Sequence, residues 1–184
     1  MLLATLKQET SQLHQRIENS LDLFRNDFAL EDYRSLLVRF YGYYSPWEQR
    51  AAVTAPRLVN PRCKCGNLAL DLESLGMPRE KILRIPRCDD LPPLDTAALV
   101  LGSMYVLEGS TLGGQILQRH VRSRFGLNGA GCAFFSGYGE QTGAMWKEFG
   151  AILESSPPHW RPEIVSSAVA TFESIGRWLG VAQK

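Results

Sequence analysis

Tyr105-Val-Leu-Glu-Gly-Ser-Thr-Leu-Gly-Gly-Gln-Ile-Leu117 carries two contradictory signals. Ala98, Leu101, Tyr105, Leu112 and Ile116 recur at three- and four-residue steps or their sum, the pattern of a one-sided helix, and Gln118 to Arg124 extends it with polar and basic residues. Gly109, Gly113 and Gly114 interrupt that pattern. Each glycine in a helix interior costs about 0.8–1 kcal/mol relative to alanine, so a helix holding all of them gives up roughly 2.5–3 kcal/mol. Gly109 and Gly113 are one turn apart and share a face, which leaves bare backbone where side chains would stand. Two readings are open at this point: another helix packs closely there, or a flat ligand does. A phosphate-binding loop is a poorer reading, because such loops follow a strand and end in Gly-Lys-Ser/Thr, whereas Gln115 stands where that lysine would be.

Working outward, Asp95 is placed to cap this helix and Phe125-Gly126 to end it. Leu2, Leu6, Thr10, Leu13, Ile17 and Leu21 define an amphipathic first helix whose inward side includes His14. A histidine there is either a hydrogen-bonded core residue or a ligand. Glu18, one turn on, is placed to fix its tautomer directly or through water and free the other ring nitrogen for a metal. A second, aromatic helix starts near Leu30 and runs through Leu36, Leu37, Phe40, Tyr41 and Tyr44, with Pro46 bending or ending it. Residues 56–61 read as a loop or broken helix and 67–75 as a short helix. Residues 79–95 read as an extended connection, and Phe134 to Gly139 is the one place for a short strand. Thr142–Leu153 and Arg161–Val181 complete five or six helices. The prediction is an all-α, single-domain multi-helix fold over residues 1–184.

Hydrophobic residues make up 45% and charged residues 21% of the 184, an ordinary balance for one soluble domain with a substantial core. A net charge of +1 provides no basic field for nucleic acid, so any positive patch must be local and aimed at a small anion. No apolar run is long enough for a membrane span and no secretory signal is evident, which predicts a cytoplasmic protein with no membrane partner. Cys63, Cys65, Cys88 and Cys132 are too few and scattered for a disulfide framework. Cys63-Lys-Cys65 alone is a weak zinc signal, and reduced bystander thiols are the better reading.

Leu6-Lys-Gln-Glu-Thr-Ser-Gln-Leu-His14-Gln-Arg-Ile-Glu18 and the glycine stretch, followed by Phe134-Phe-Ser-Gly-Tyr-Gly-Glu-Gln-Thr-Gly-Ala-Met-Trp-Lys-Glu-Phe149, together resemble the heme oxygenase family, best in its bacterial, phytochrome-associated branch. The resemblance spans about residues 5 to 178 and is poorest over 56–93. It implies a heme oxygenase-like fold with heme between a proximal helix and a kinked distal helix. His14 is then the iron ligand and Glu18 its associated carboxylate. Tyr105, Gly109, Gly113 and Gly114 contact the cofactor, and Gly109, Ser110 and Gly113 form the catalytic distal segment. Ser110 stands where many members have an aspartate that organises water. Lys7 and Lys147 are the implied propionate partners, although arginine is commoner at the second position.

The implied activity is O2-dependent cleavage of b-type heme, both cofactor and substrate, to biliverdin, CO and Fe2+. Electrons would come from an external ferredoxin or reductase, since the chain has no flavin, nicotinamide or iron–sulfur motif. Biliverdin supply to a phytochrome is a further implied link. The alternative from another class is a non-catalytic heme-binding protein for storage, delivery or sensing.

Overall fold

The computed structural model describes residues 1–127 and 129–181; Asn128 and residues 182–184, the end of the expected domain, lie outside the described residues. The described chain forms helices and turns without a strand: α1 (Leu2–Leu21), α2 (Leu30–Thr54), α3 (Pro56–Val59), α4 (Cys65–Ser74), α5 (Arg79–Leu83), α6 (Ala97–Phe125), α7 (Thr142–Glu154) and α8 (Arg161–Trp178). Short 3-10 turns lead out of α3 (Asn60–Arg62), into α7 (Gly139–Gln141) and into α8 (Pro158–Trp160). The all-α expectation holds.

Several local expectations are corrected by tertiary partners. Pro46 neither ends α2 nor leaves an acceptor orphaned. The proline has no N–H to give the Gly42 carbonyl one turn back, and Cys88 N–H donates to that oxygen instead at 2.9 Å. Gly42 itself has no room for a side chain, since a Cβ there would meet the Pro86 carbonyl oxygen at 2.6 Å and Trp178 at 2.7 Å. The α6 cap is Thr96, not Asp95: its Oγ1 accepts from Leu99 N–H at 3.1 Å and donates to Glu163 at 2.8 Å. Residues 79–83 are helical where an extended connection was expected, with Ile82 buried in the core. The 134–139 segment turns back on itself, Gly137 and Gly139 both sitting at φ +59°, so no strand forms there.

The core is organised on α8, which packs along α6 on one side and α1 on the other. The α6–α8 contact is a close backbone approach. A Cβ at Gly102 would stand 2.1 Å from the Ile164 carbonyl oxygen, while Ser167 Oγ donates to Leu99 O at 2.6 Å and Thr171 Oγ1 to Ser103 Oγ at 2.9 Å. Gly102→Ala must therefore push the two helices apart. It is expected to destabilise the fold by about 1–3 kcal/mol, read as a lowered thermal midpoint; an unchanged midpoint would mean the contact opens freely.

The start of α1 packs on the end of α7. Both Leu2 N–H and Leu3 N–H donate to the Glu154 carboxylate at 2.9 Å, which caps α1 from the end of α7, and Leu3 packs on Gly150. α1 and α6 both lean on α8 and pack little against one another; we take the space between their facing sides as the candidate cleft.

Candidate functional site

One wall of the cleft comes from α1. His14 lies on the rim of the apolar stripe, not within it. Its side chain is 54% exposed, correcting the expectation that it points to the core, because Leu2, Leu6 and Thr10 take the buried centre of the stripe. The ring stands edge-on to Phe172 of α8, with centroids 5.8 Å apart. Nδ1 lies 3.5 Å from Glu18 Oε2, an electrostatic contact looser than a close hydrogen bond. The carboxylate favours a proton on Nδ1 and leaves Nε2 as the free lone pair.

The opposite wall comes from α6, which stays α-helical through all of its glycines. The three expected cofactor-side glycines part company here. Gly113 faces open space, with no atom within 4 Å of where a Cβ would be. Gly109 faces the edge of Trp146 at 3.7 Å, so α7 covers part of its face. Gly114 is buried against the Phe135 carbonyl oxygen at 3.0 Å, a packing glycine turned toward the neighbouring loop. Of the two positions for which a close helix or a flat ligand was expected, Gly109 is partly covered by α7 and Gly113 is left open, while Gly114 packs on protein.

The apolar stripe of α6 also divides. Ala98 and Leu101 are buried, whereas Leu112 (43%) and Ile116 (55%) are exposed beside Gly113. Phe24, just beyond α1, is 55% exposed and its ring lies 4.8 Å from that of His120 on α6. At the other end Tyr105, half-buried, packs against Trp146 with centroids 6.0 Å apart. Burial pushes its phenol up in pKa and the Thr10 side chain on α1 draws it back down. Phe24–His120 thus bridges the two walls at one end, while Thr10 approaches Tyr105 toward the other. On α6 Tyr105 and His120 are fifteen residues apart, about 22 Å at 1.5 Å per residue.

Ser110 is exposed. Its hydroxyl donates to Leu107 O at 2.8 Å and lies 3.3 Å from Tyr44 Oη, which burial keeps protonated and available as the donor. Lys7 and Lys147 are both exposed, and neither has a carboxylate within 4 Å among the described residues. The start of α1 meets the end of α7 through Leu2–Glu154 and Leu3–Gly150.

The sequence reading missed Tyr44, Trp146 and the buried group around Glu108. A carboxylate on the buried side of a helix, between Leu101-Met104 and Thr111, is a signal that cations must approach from elsewhere. Those cations are Arg62 and Lys64, in the segment that resembled the family least. Cys63 lies between them and Cys65 follows: burial and Glu48 push the Cys63 thiol up to about 11 and Cys65 higher still, which disfavours the thiolate a metal needs. Among the described residues no group of three or more metal-ligating side chains is found.

An exposed imidazole on one wall, bare backbone and exposed apolar side chains on the other, and cations at one end fit a flat, apolar, doubly anionic metal macrocycle. This places the chain among all-helical heme proteins. The family model described as heme oxygenase matches residues 1–180. A curated heme oxygenase of Xanthomonas campestris pv. campestris (strain 8004) is 32% identical over 129 residues, covering 67% of this chain and 73% of that one. The crystal structure of the NO- and CO-bound heme oxygenase from Neisseria meningitidis has the same fold, with a TM-score of 0.74 at 19% identity over 100% of this chain and 94% of that one. The chain belongs to the heme oxygenase family. Membership makes it a heme-degrading oxidoreductase for which heme is cofactor and substrate together.

Proposed function

We propose that heme is held in the cleft between α1 and α6 with His14 Nε2 as its iron ligand, and that this chain opens it to biliverdin, CO and Fe2+ with O2 and electrons from a separate ferredoxin or reductase. The observation that carries this reading is the pairing of an exposed, Glu18-oriented His14 on one wall with the open backbone of Gly113 on the other. Bound heme supplies both the iron that activates O2 and the carbon skeleton that is oxidised.

The chain's own residues supply orientation and exclusion. Glu18 holds the proton on Nδ1, keeping His14 a neutral ligand with its lone pair directed outward. Gly113 and the adjacent turn of α6 bring a backbone surface, with no acid or base of their own, close to the reacting face. Gly109 does so under the cover of Trp146. Tyr44 Oη donates to Ser110 Oγ, giving the distal side a hydroxyl pair where many family members use a carboxylate to order water. Leu112, Ile116 and Phe24 cover the macrocycle and keep bulk water from it. Lys7 and Lys147 pair with the propionates. One domain over residues 1–184 carries all of this, as a cytoplasmic protein whose reaction serves either biliverdin supply to a phytochrome or the release of iron. No helix among the described residues is long and apolar enough to cross a membrane.

Turnover tests the proposal. Hemin-loaded protein given ascorbate or a ferredoxin system in air, with catalase present, is expected to lose its Soret band as a biliverdin band grows and CO is released. A persisting Soret band would identify a heme carrier, and bleaching without biliverdin or CO would identify uncontrolled peroxide damage; either overturns the proposal. Lys7→Glu is expected to weaken heme binding by about 0.5–1 kcal/mol at low salt, with the effect shrinking as salt rises. Equal affinity to wild type at every salt concentration would return Lys7 to the solvated surface.

A further inference from the structure

Directly before Gly109 on α6, Glu108 is only 3% exposed and is the centre of a buried ionic cluster. Its carboxylate accepts from Arg62 Nη1 at 2.8 Å, from Lys64 Nζ in a short contact, and from Tyr138 Oη at 2.8 and 2.9 Å. Arg62 also donates to Met145 O at 3.2 Å and lies over the Phe149 ring at 5.5 Å, while Lys64 donates to Arg62 O at 3.1 Å. Glu48 of α2 accepts from Lys64 N–H at 2.5 Å and Cys65 N–H at 3.1 Å. One carboxylate on α6 is thereby tied to the turn after α3, the start of α4, the loop before α7 and α7 itself. A cavity of about 10 Å³ beside this cluster is lined in part by Tyr44, Glu48, Arg62, Lys64 and Glu108, and Tyr44 Oη in turn lies 3.3 Å from Ser110 Oγ.

Net stability is a poor reason for such a cluster. Desolvating several charges offsets most of their attraction, and well-packed apolar residues serve equally well or better. What several charge-assisted bonds to one carboxylate do provide is a fixed rotation and axial position for the helix at that residue. The next residues are those least able to fix themselves. Gly109 and Gly113 widen the accessible backbone range, and Gly113 has no neighbour to brace it.

We propose that Glu108, gripped by Arg62, Lys64 and Tyr138, is a positioning residue for heme cleavage. It sets the height and rotation of the Gly109–Gly113 backbone over the macrocycle and so selects which bridging carbon is oxidised. This inference rests on the heme-cleavage reading above.

Glu108→Gln leaves buried Lys64 facing a neutral amide and buried Arg62 with only the exposed Glu148 carboxylate, 3.3 Å from its Nη2. Glu108→Gln with Lys64→Met restores the formal charge balance and guards against simple misfolding, and Tyr138→Phe removes a single donor at nearly constant shape. Each variant is loaded with hemin. The readouts are the biliverdin isomer ratio, the pH midpoint of the ferric-heme absorbance spectrum, and the thermal midpoint of the heme-free protein. The charge-balanced double variant is expected to raise the minor biliverdin isomer by about threefold or more. Its spectral pH midpoint is expected to move by about half a unit or more. Tyr138→Phe should move both in the same direction by less.

Unchanged isomer ratio and pH midpoint in a folded double variant, whatever its thermal midpoint, would reduce the cluster to packing and overturn the proposal. If the double variant does not fold, unchanged values in Tyr138→Phe overturn it. Wild-type protein that releases no biliverdin would sink the heme-cleavage reading, while the spectral midpoint would still report whether Glu108 positions the distal side.

Discussion

His14→Ala is expected to lower heme-cleavage turnover by more than the roughly 10–100-fold that loss of an outer-shell partner costs a metal site, because in the proposed assignment it removes the direct ligand. The fold should not suffer. His14 is more than half exposed, its main contact is the edge of Phe172, and alanine is the better helix former, so the heme-free thermal midpoint should stay within the range of about ±0.5 kcal/mol typical of surface changes. Heme should still enter by apolar burial against Leu112, Ile116 and Phe24, but with an altered iron spectrum and weaker affinity. Added imidazole, small enough for the space left by the missing ring, should restore part of the activity. The measurement pairs ferric and ferrous absorbance spectra with biliverdin yield. A variant with wild-type spectra and turnover would remove His14 from the iron.

Gly113→Leu should separate stability from function in the opposite direction. No atom outside the local helix backbone lies within 4 Å of a Cβ at this position, so the added Cβ meets no obstacle, and the helix gains a little less than the roughly 0.8–1 kcal/mol that separates glycine from alanine. The heme-free protein should therefore melt at an equal or higher temperature. The same isobutyl group would stand beside Leu112 and Ile116, in the space proposed for the flat ligand and O2. Turnover is expected to fall by about tenfold or more, or the biliverdin isomer to change, since well under 2 kcal/mol of misplacement suffices for that factor. Gly114→Ala is the contrasting variant. Its Cβ would press on the Phe135 carbonyl oxygen at 3.0 Å and should cost stability while leaving the cleft face unaltered. A Gly113→Leu protein with wild-type rate and isomer would show that this face of α6 looks onto solvent alone.

The family and the helical class were legible because their signals are local. His14 and Glu18 are one turn apart, so a helix alone is enough to bring them together, as the 3.5 Å contact reflects. The three- and four-residue spacing through Gly109 to Gly114 requires a helix whatever packs on it, and α6 is continuous across it. Helix ends written in glycine were legible too, Gly126 taking the left-handed conformation that stops α6.

The same periodicity could not tell Gly113 from Gly114. Adjacent residues differ by about 100° around a helix, and only the position of Phe135 decides which of the two is pressed against protein. Nor could it show that His14 sits on the rim of its stripe, that Cys88 rescues the carbonyl freed by Pro46, or that Thr96 caps α6 in place of Asp95. Each depends on a partner brought in by the packing of another element. Glu108 with Arg62 and Lys64 is the fullest case: the groups are 46 and 44 residues apart, and their cationic half lies in the stretch least like the family. Local spacing determined which faces exist along this chain. Tertiary packing alone decided which of those faces are covered, because burial and ion pairing depend on distance in space, and chain separation leaves that distance undetermined.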